Sequence, residues 1–176
     1  MIVVSSNYLN TKEKTFIRKY ASYVLNRMVR RSVQNKAKVL IKVMSPDEFD
    51  ALADKSDLIN YNAWCTYDGI ENDKKKFTVV VNINSISKRA KKPLVKYKTV
   101  LVDLGHELTH VKQYLNGEIF DYKSGDVRFK GMKFDASHYE NEEKYFESPW
   151  EIEAYGREWG LYKMFCNKMK EDLKKK

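Results

Sequence analysis

His106 and His110 stand four residues apart with Glu107 beside the first, in the run His106-Glu107-Leu108-Thr109-His110, and no other local pattern in the chain constrains its fold as tightly. Residues at i and i+4 of a helix lie one above the other, so a single turn presents both imidazoles to one point. Glu107, turned by about 100°, stays free to take a proton. Two imidazoles and a neighbouring carboxylate are the ligands and the base of a zinc hydrolase. A catalytic zinc usually takes three protein ligands and keeps one position for water. The fold must therefore carry a distant segment back to this turn.

The helix that holds the pattern is expected over about 93–116. Pro93 suits its first turn and Asn116-Gly117 its end. Leu94, Tyr97, Leu101, Leu104, Leu108, Val111 and Leu115 recur at spacings of three and four and form a core stripe. His106 and His110 point away from that stripe, on a face shared with Val95, Thr99, Val102 and Gln113. Such a face is too apolar for open solvent, so another element should cover it.

Upstream, Asn10 and Glu13 form a capping box, and Phe16, Ile17, Tyr20, Ala21, Val24, Leu25 and Met28 predict a helix over about 11–33. Val39, Ile41 and Val43 alternate as in a strand, and Pro46-Asp47-Glu48-Phe49 opens a short helix reaching about Ala53. Tyr61 to Tyr67 and Phe77 to Ile83 read as an antiparallel hairpin with residues 68–76 as its polar loop, the second strand covered on both sides. Residues 117–147 have no clear period but carry Phe120, Tyr122, Phe129, Phe134, Tyr139, Tyr145 and Phe146, material for a lid or for packing.

A chain of 176 residues that is 43% hydrophobic fits one domain, 1–176. No apolar run approaches the roughly 20 residues of a membrane span, and Met1 to Ser6 lacks the features of a secretory signal. A cytoplasmic protein is expected, with Cys65 and Cys166 as reduced thiols. The formal net charge of +9 gathers in Lys74-Lys75-Lys76, in residues 88–92 and at Lys174-Lys175-Lys176. Nucleic acid is a possible partner for such charge, but Lys outnumbers Arg, and a solvated basic surface is the simpler reading.

Candidates for the third ligand are His138, Cys166, Glu151 and Glu153. Ser148, Pro149 and Glu151 carry the signature of a helix start, so Glu151 could also be a capping carboxylate. On a helical wheel Glu151 shares a face with Tyr155, Glu158, Tyr162, Phe165 and Met169, whereas Glu153 lies opposite with Arg157. A carboxylate within an apolar face is costly unless it is paired or binds a cation. Glu151 is accordingly the preferred ligand, with His138 and Glu153 as alternatives, and Glu158 could accept from a ligand imidazole.

His106 to His110 followed by Glu151-Ile152-Glu153-Ala154 resembles the gluzincins, whose HExxH helix is joined by a Glu opening a Glu-x-x-Ala motif. The metzincin pattern fails, because Gln113 and Asn116 stand where it needs Gly and a third His. The element order is similar to that of the minimal gluzincin core, and similar motifs occur in ImmA/IrrE-type repressor-cleaving metallopeptidases. The likeness covers about residues 76 to 160. It implies an α+β, zincin-like domain: a small, mostly antiparallel sheet packed on the HExxH helix and a C-terminal ligand helix. It also implies one Zn2+ per chain and a protein or peptide substrate, held in extended form by the Phe77 to Ile83 strand if that strand is the sheet edge. Many gluzincins have Asp or Asn four residues after the ligand Glu; Tyr155 stands there, so Asp103 or Glu158 would have to orient a ligand. Tyr145 and Tyr155 are the candidate oxyanion donors. The competing expectation is a basic nucleic-acid-associated or adaptor protein on the same scaffold, an inactive pseudo-enzyme included. Its hybrid form, a SprT-like DNA-associated protease, would need His138 as third ligand.

Overall fold

The computed structural model describes residues 1–45, 47–48, 62–83 and 90–175. At its start, β1 (Ile2–Ser5) runs parallel to β2 (Ala37–Met44), with Val3 opposite Leu40. Parallel neighbours need a crossover, here through α1 (Thr11–Met28). This helix begins as the sequence predicts. The Asn10 side chain accepts from the Glu13 N–H, and the Glu13 carboxylate accepts from the Asn10 N–H, both at 3.0 Å, a cap worth about 1 kcal/mol.

The helix expected over 11–33 stops early. Val29 is extended, and the chain resumes as the single turn α2 (Arg31–Gln34). The Gln34 amide donates to the carbonyls of Leu25 and Val29 at 3.2 and 2.6 Å. The Leu25 carbonyl also accepts from the Val29 N–H at 2.9 Å, so backbone and side chain together close the end of α1.

The predicted hairpin forms from β3 (Ala63–Glu71) and β4 (Lys74–Asn82), but without the long loop. Only Asn72 and Asp73 turn, both with positive φ of 48° and 58°, the two-residue geometry that matches the twist of antiparallel strands. Strand order is β1-β2-β4-β3, and β4 also pairs in parallel with β2. Two of the three pairings are parallel, so this sheet is mixed and not mostly antiparallel. A period of two reports which residues are buried, not which strand lies alongside. Phe77, Val79 and Val81 on one face of β4 and Val80 on the other are all buried, as expected for a strand covered on both sides. The short helix expected at 46–53 falls almost wholly outside the described residues.

After α3 (Pro93–Lys96), the chain kinks at Tyr97 and continues as α4 (Lys98–Leu115), so the single helix expected over 93–116 is two. The Tyr97 hydroxyl donates to Glu13 of α1, and the Lys96 ammonium reaches the same carboxylate at 2.7 Å. Leu101, Leu104, Leu108 and Val111 pack with Ile17, Tyr20 and Val24 of α1 and with Ile41 and Val79 of the sheet in the main core.

Residues 117–147 are more ordered than their pattern predicts. A small antiparallel sheet, β5 (Ile119–Asp121), β6 (Val127–Phe129) and β7 (Met132–Phe134), is followed by α5 (Ser137–Glu140) and α6 (Glu142–Glu147). Ile119, Val127 and Phe129 close around Trp150 as a second, smaller core. Finally α7 (Pro149–Lys174) lies along α4 and covers its histidine face. The domain is α+β. Among the described residues, no helix is long and apolar enough to cross a membrane.

Candidate metal centre

Two elements build the centre. From α4 come His106, Glu107 and His110, all buried or nearly so; from the first turn of α7 comes Glu151, 2% exposed. Gly105 lets the helices approach: a Cβ there would stand 2.7 Å from the Tyr20 hydroxyl and 3.5 Å from the Glu158 carbonyl oxygen. Ser148 and Pro149 start α7 where predicted, but the capping box does not form. The Ser148 hydroxyl donates to the Lys144 carbonyl at 2.8 Å and faces His138 Nδ1 at 2.9 Å. The Glu151 side chain is therefore not a cap; it points at the histidines.

His106 Nε2 lies 3.2 Å from Glu151 Oε2, His110 Nε2 lies 3.3 Å from Glu151 Oε1, and the two Nε2 atoms are 3.2 Å apart. Ligands bound at about 2.0–2.1 Å to one tetrahedral zinc are separated by about 3.3 Å. The buried trio His106, His110 and Glu151 thus has the spacing and chemistry to hold a metal ion. Its other ring nitrogens are occupied: His106 Nδ1 faces Glu158 Oε2 at 3.1 Å, and His110 Nδ1 faces Gln113 Oε1 at 2.9 Å. With their protons on Nδ1, both imidazoles aim lone pairs at each other and at a carboxylate, an arrangement that a further proton or a metal ion relieves.

Electrostatics agrees with that reading. Burial alone would lower the His106 pKa, yet Glu151 and Glu158 outweigh it and hold it up at about 10. Burial would likewise lower His110, which Glu151 raises instead. For Glu151, burial pushes up, but the two imidazoles bring it down to about 2. Protons and metal compete for the same lone pairs. Glu107 differs: burial raises its pKa, and the neighbouring imidazoles offset only part of the rise.

A cleft of about 590 Å³ opens over the trio, lined by Asp103, Glu107, Tyr145, Tyr155 and Glu158 among others. Asp103, Tyr145, Tyr155 and Glu158, singled out in the sequence, therefore all border the site. The Tyr155 ring sits edge-on to His106 with centroids 4.4 Å apart. One wall is Asn62 to Thr66 of the β3 end of the sheet. The strand Phe77 to Ile83 does not meet the condition set for holding substrate: it is interior as β4, and among the described residues the edge beside the cleft is β3. The reason is β2, whose parallel pairing on the far side of β4 has no signature in the local pattern.

The other ligand candidates lie elsewhere. His138 is engaged by Ser148 and packs against Phe134 and Trp150. Glu153, expected on the surface, is ion-paired with Lys112 at 2.6 Å, Arg157 at 2.9 Å and Lys130 at 3.1 Å. Cys166 packs against the main core, and both cysteines are free thiols. Sequence reasoning placed Gln113 on the histidine face without giving it a role, named Tyr139 only among aromatics for a lid or for packing, and missed Tyr114 and Trp150 as cleft walls. The signal for a role of Gln113 was its place three residues after His110 on that face, within reach of the ring. Comparison with family models, with curated proteins and with solved structures finds no match to this chain.

Proposed function

We propose that this chain is a zinc-dependent peptidase in which His106, His110 and Glu151 hold the metal and Glu107 is the general base. The observation that carries the reading is the position of Glu107. A buried carboxylate shares one helical turn with two metal-competent imidazoles and lines the same cleft, and burial raises its proton affinity towards that of a useful base. Zinc in such a setting supplies a Lewis acid that lowers the pKa of water and polarises a carbonyl. Glu107 takes the proton from the attacking water and delivers it to the leaving amine nitrogen as the peptide C–N bond breaks. Among the described residues β3 is the edge strand beside the cleft, a position that suits an extended peptide held by strand addition. Tyr145 and Tyr155, which line the cleft, are the proposed donors to the developing oxyanion.

The test is Glu107→Gln assayed on an unstructured protein substrate, with metal content measured in parallel. Zinc is retained while cleavage falls roughly 10²- to 10⁴-fold; undiminished cleavage removes Glu107 from the mechanism. Salt-sensitive DNA or RNA binding that survives chelation, in a protein without proteolysis, would favour the nucleic-acid-associated reading.

A further inference from the structure

We infer that Gln113 is a positioning residue for the metal centre: it fixes the tautomer and ring orientation of His110. This rests on the metal-binding reading above and extends it to a residue outside the ligand set.

An amide has one end that only donates and one that only accepts, so its orientation follows from its neighbours. Gln113 Nε2 lies 3.0 Å from the Trp150 carbonyl oxygen and 3.5 Å from Glu153 Oε2. Both are acceptors, and the carboxylate is kept in place by its pairs with Lys112, Lys130 and Arg157. The NH2 end therefore belongs on that side. The opposite end, Oε1, faces His110 Nδ1 at 2.9 Å and can only accept. His110 must then carry a proton on Nδ1, and in its neutral form Nε2 is left as a bare lone pair directed at His106 and Glu151.

Gln113 is fully buried, so neither water nor rotation of the amide offers a cheap alternative. Trp150 adds a second function: its carbonyl sits one residue before Glu151, so the same hydrogen bond that orients Gln113 also ties the first turn of α7 to α4. His106 receives the equivalent service from Glu158, a charged acceptor on the other helix. The two ligand imidazoles are thus oriented by different means, one across the interface and one from within their own helix.

The experiment uses the full chain. Zinc affinity is measured by competition with a chelator for the wild type and for Gln113→Met, which keeps the volume but removes both polar ends, with thermal melts of the zinc-free proteins alongside. The expected result is a 10- to 100-fold loss of zinc affinity, with no comparable loss in Glu13→Gln, a control distant from the centre. Nitrogen-resolved NMR of the zinc-loaded wild type provides a second readout that needs no variant. The His110 Nδ1 proton appears as a slowly exchanging resonance, and in Gln113→Met it exchanges fast. Equal zinc affinity in both proteins, or a His110 Nδ1 without a protected proton in the wild type, overturns the role of Gln113 while leaving the metal site intact. A wild type that takes up no zinc overturns both. If Gln113→Met does not fold, the wild-type resonance decides alone.

Discussion

Glu151 and Glu153 stand two residues apart on α7, both face α4, and both carboxyls are drawn down to about 2 against the upward push of burial, but their partners differ in kind. Glu153 meets Lys112, Lys130 and Arg157, cations that the chain itself supplies. Among the described residues Glu151 is paired with two imidazoles, whose remaining nitrogens are already engaged by Glu158 and Gln113. One cluster is charge-compensated from within; the other requires a proton or a metal ion from outside. Burial and carboxylate content do not separate a structural from a functional cluster here, but the origin of the compensating charge does.

The sharpest way to break this contrast is to remove the internal cation. Lys112 is 6% exposed and bridges Glu118 and Glu153 at 2.6 Å each. Lys112→Met leaves both acids short of a partner and should cost about 3 kcal/mol in chemical denaturation, equally with and without zinc. An unchanged midpoint would show that the cluster is not a structural tie.

Supplying the external cation is the complementary test. Zinc at 100-fold excess over its Kd should stabilise the wild type by about 2.7 kcal/mol. That increment should vanish in Glu151→Ala and persist in Glu153→Ala, whatever each variant's starting stability. Equal increments in the two variants would erase the distinction between the clusters.

A third, smaller compensated cluster sharpens the comparison through pH. Burial would raise the Glu13 carboxyl, but Lys96 and the Tyr97 hydroxyl bring it down to about 2. A folded-state pKa below the ordinary 4.5 means that its contribution is complete above about pH 4.5 and disappears as pH falls towards 2. Glu13→Gln should therefore cost roughly 1 kcal/mol at pH 7, reduced by solvent screening, with the gap from wild type closing in acid. Urea melts at pH 7 and pH 3 measure it; a pH-independent gap would assign the loss to the helix cap instead.

Legibility followed range along the chain. The Asn10 and Glu13 cap, the core stripe from Leu101 to Leu115 and the facing of both histidines away from it were readable, because each depends on residues within a turn or two of each other. The wheel put Glu151 on an apolar face and Glu153 opposite it, but both side chains reach α4 in the fold. It could not show that the Glu153 carboxylate would be drawn into an ion-paired cluster, because that depends on Lys112 and Lys130 arriving from other elements. The parallel partner of β4, the use of Ser148 by His138 in place of a cap, and the compact sheet within 119–134 were illegible for the same reason.

By itself, then, the sequence determined that one turn of one helix would carry two imidazoles and a carboxylate on a face turned from the core, because helical geometry converts spacing directly into direction. Only the tertiary structure decided which acid arrives opposite them, which strand borders the cleft and which end of the Gln113 amide meets His110. Those outcomes depend on packing between segments up to about a hundred residues apart, and no local pattern encodes where such segments meet.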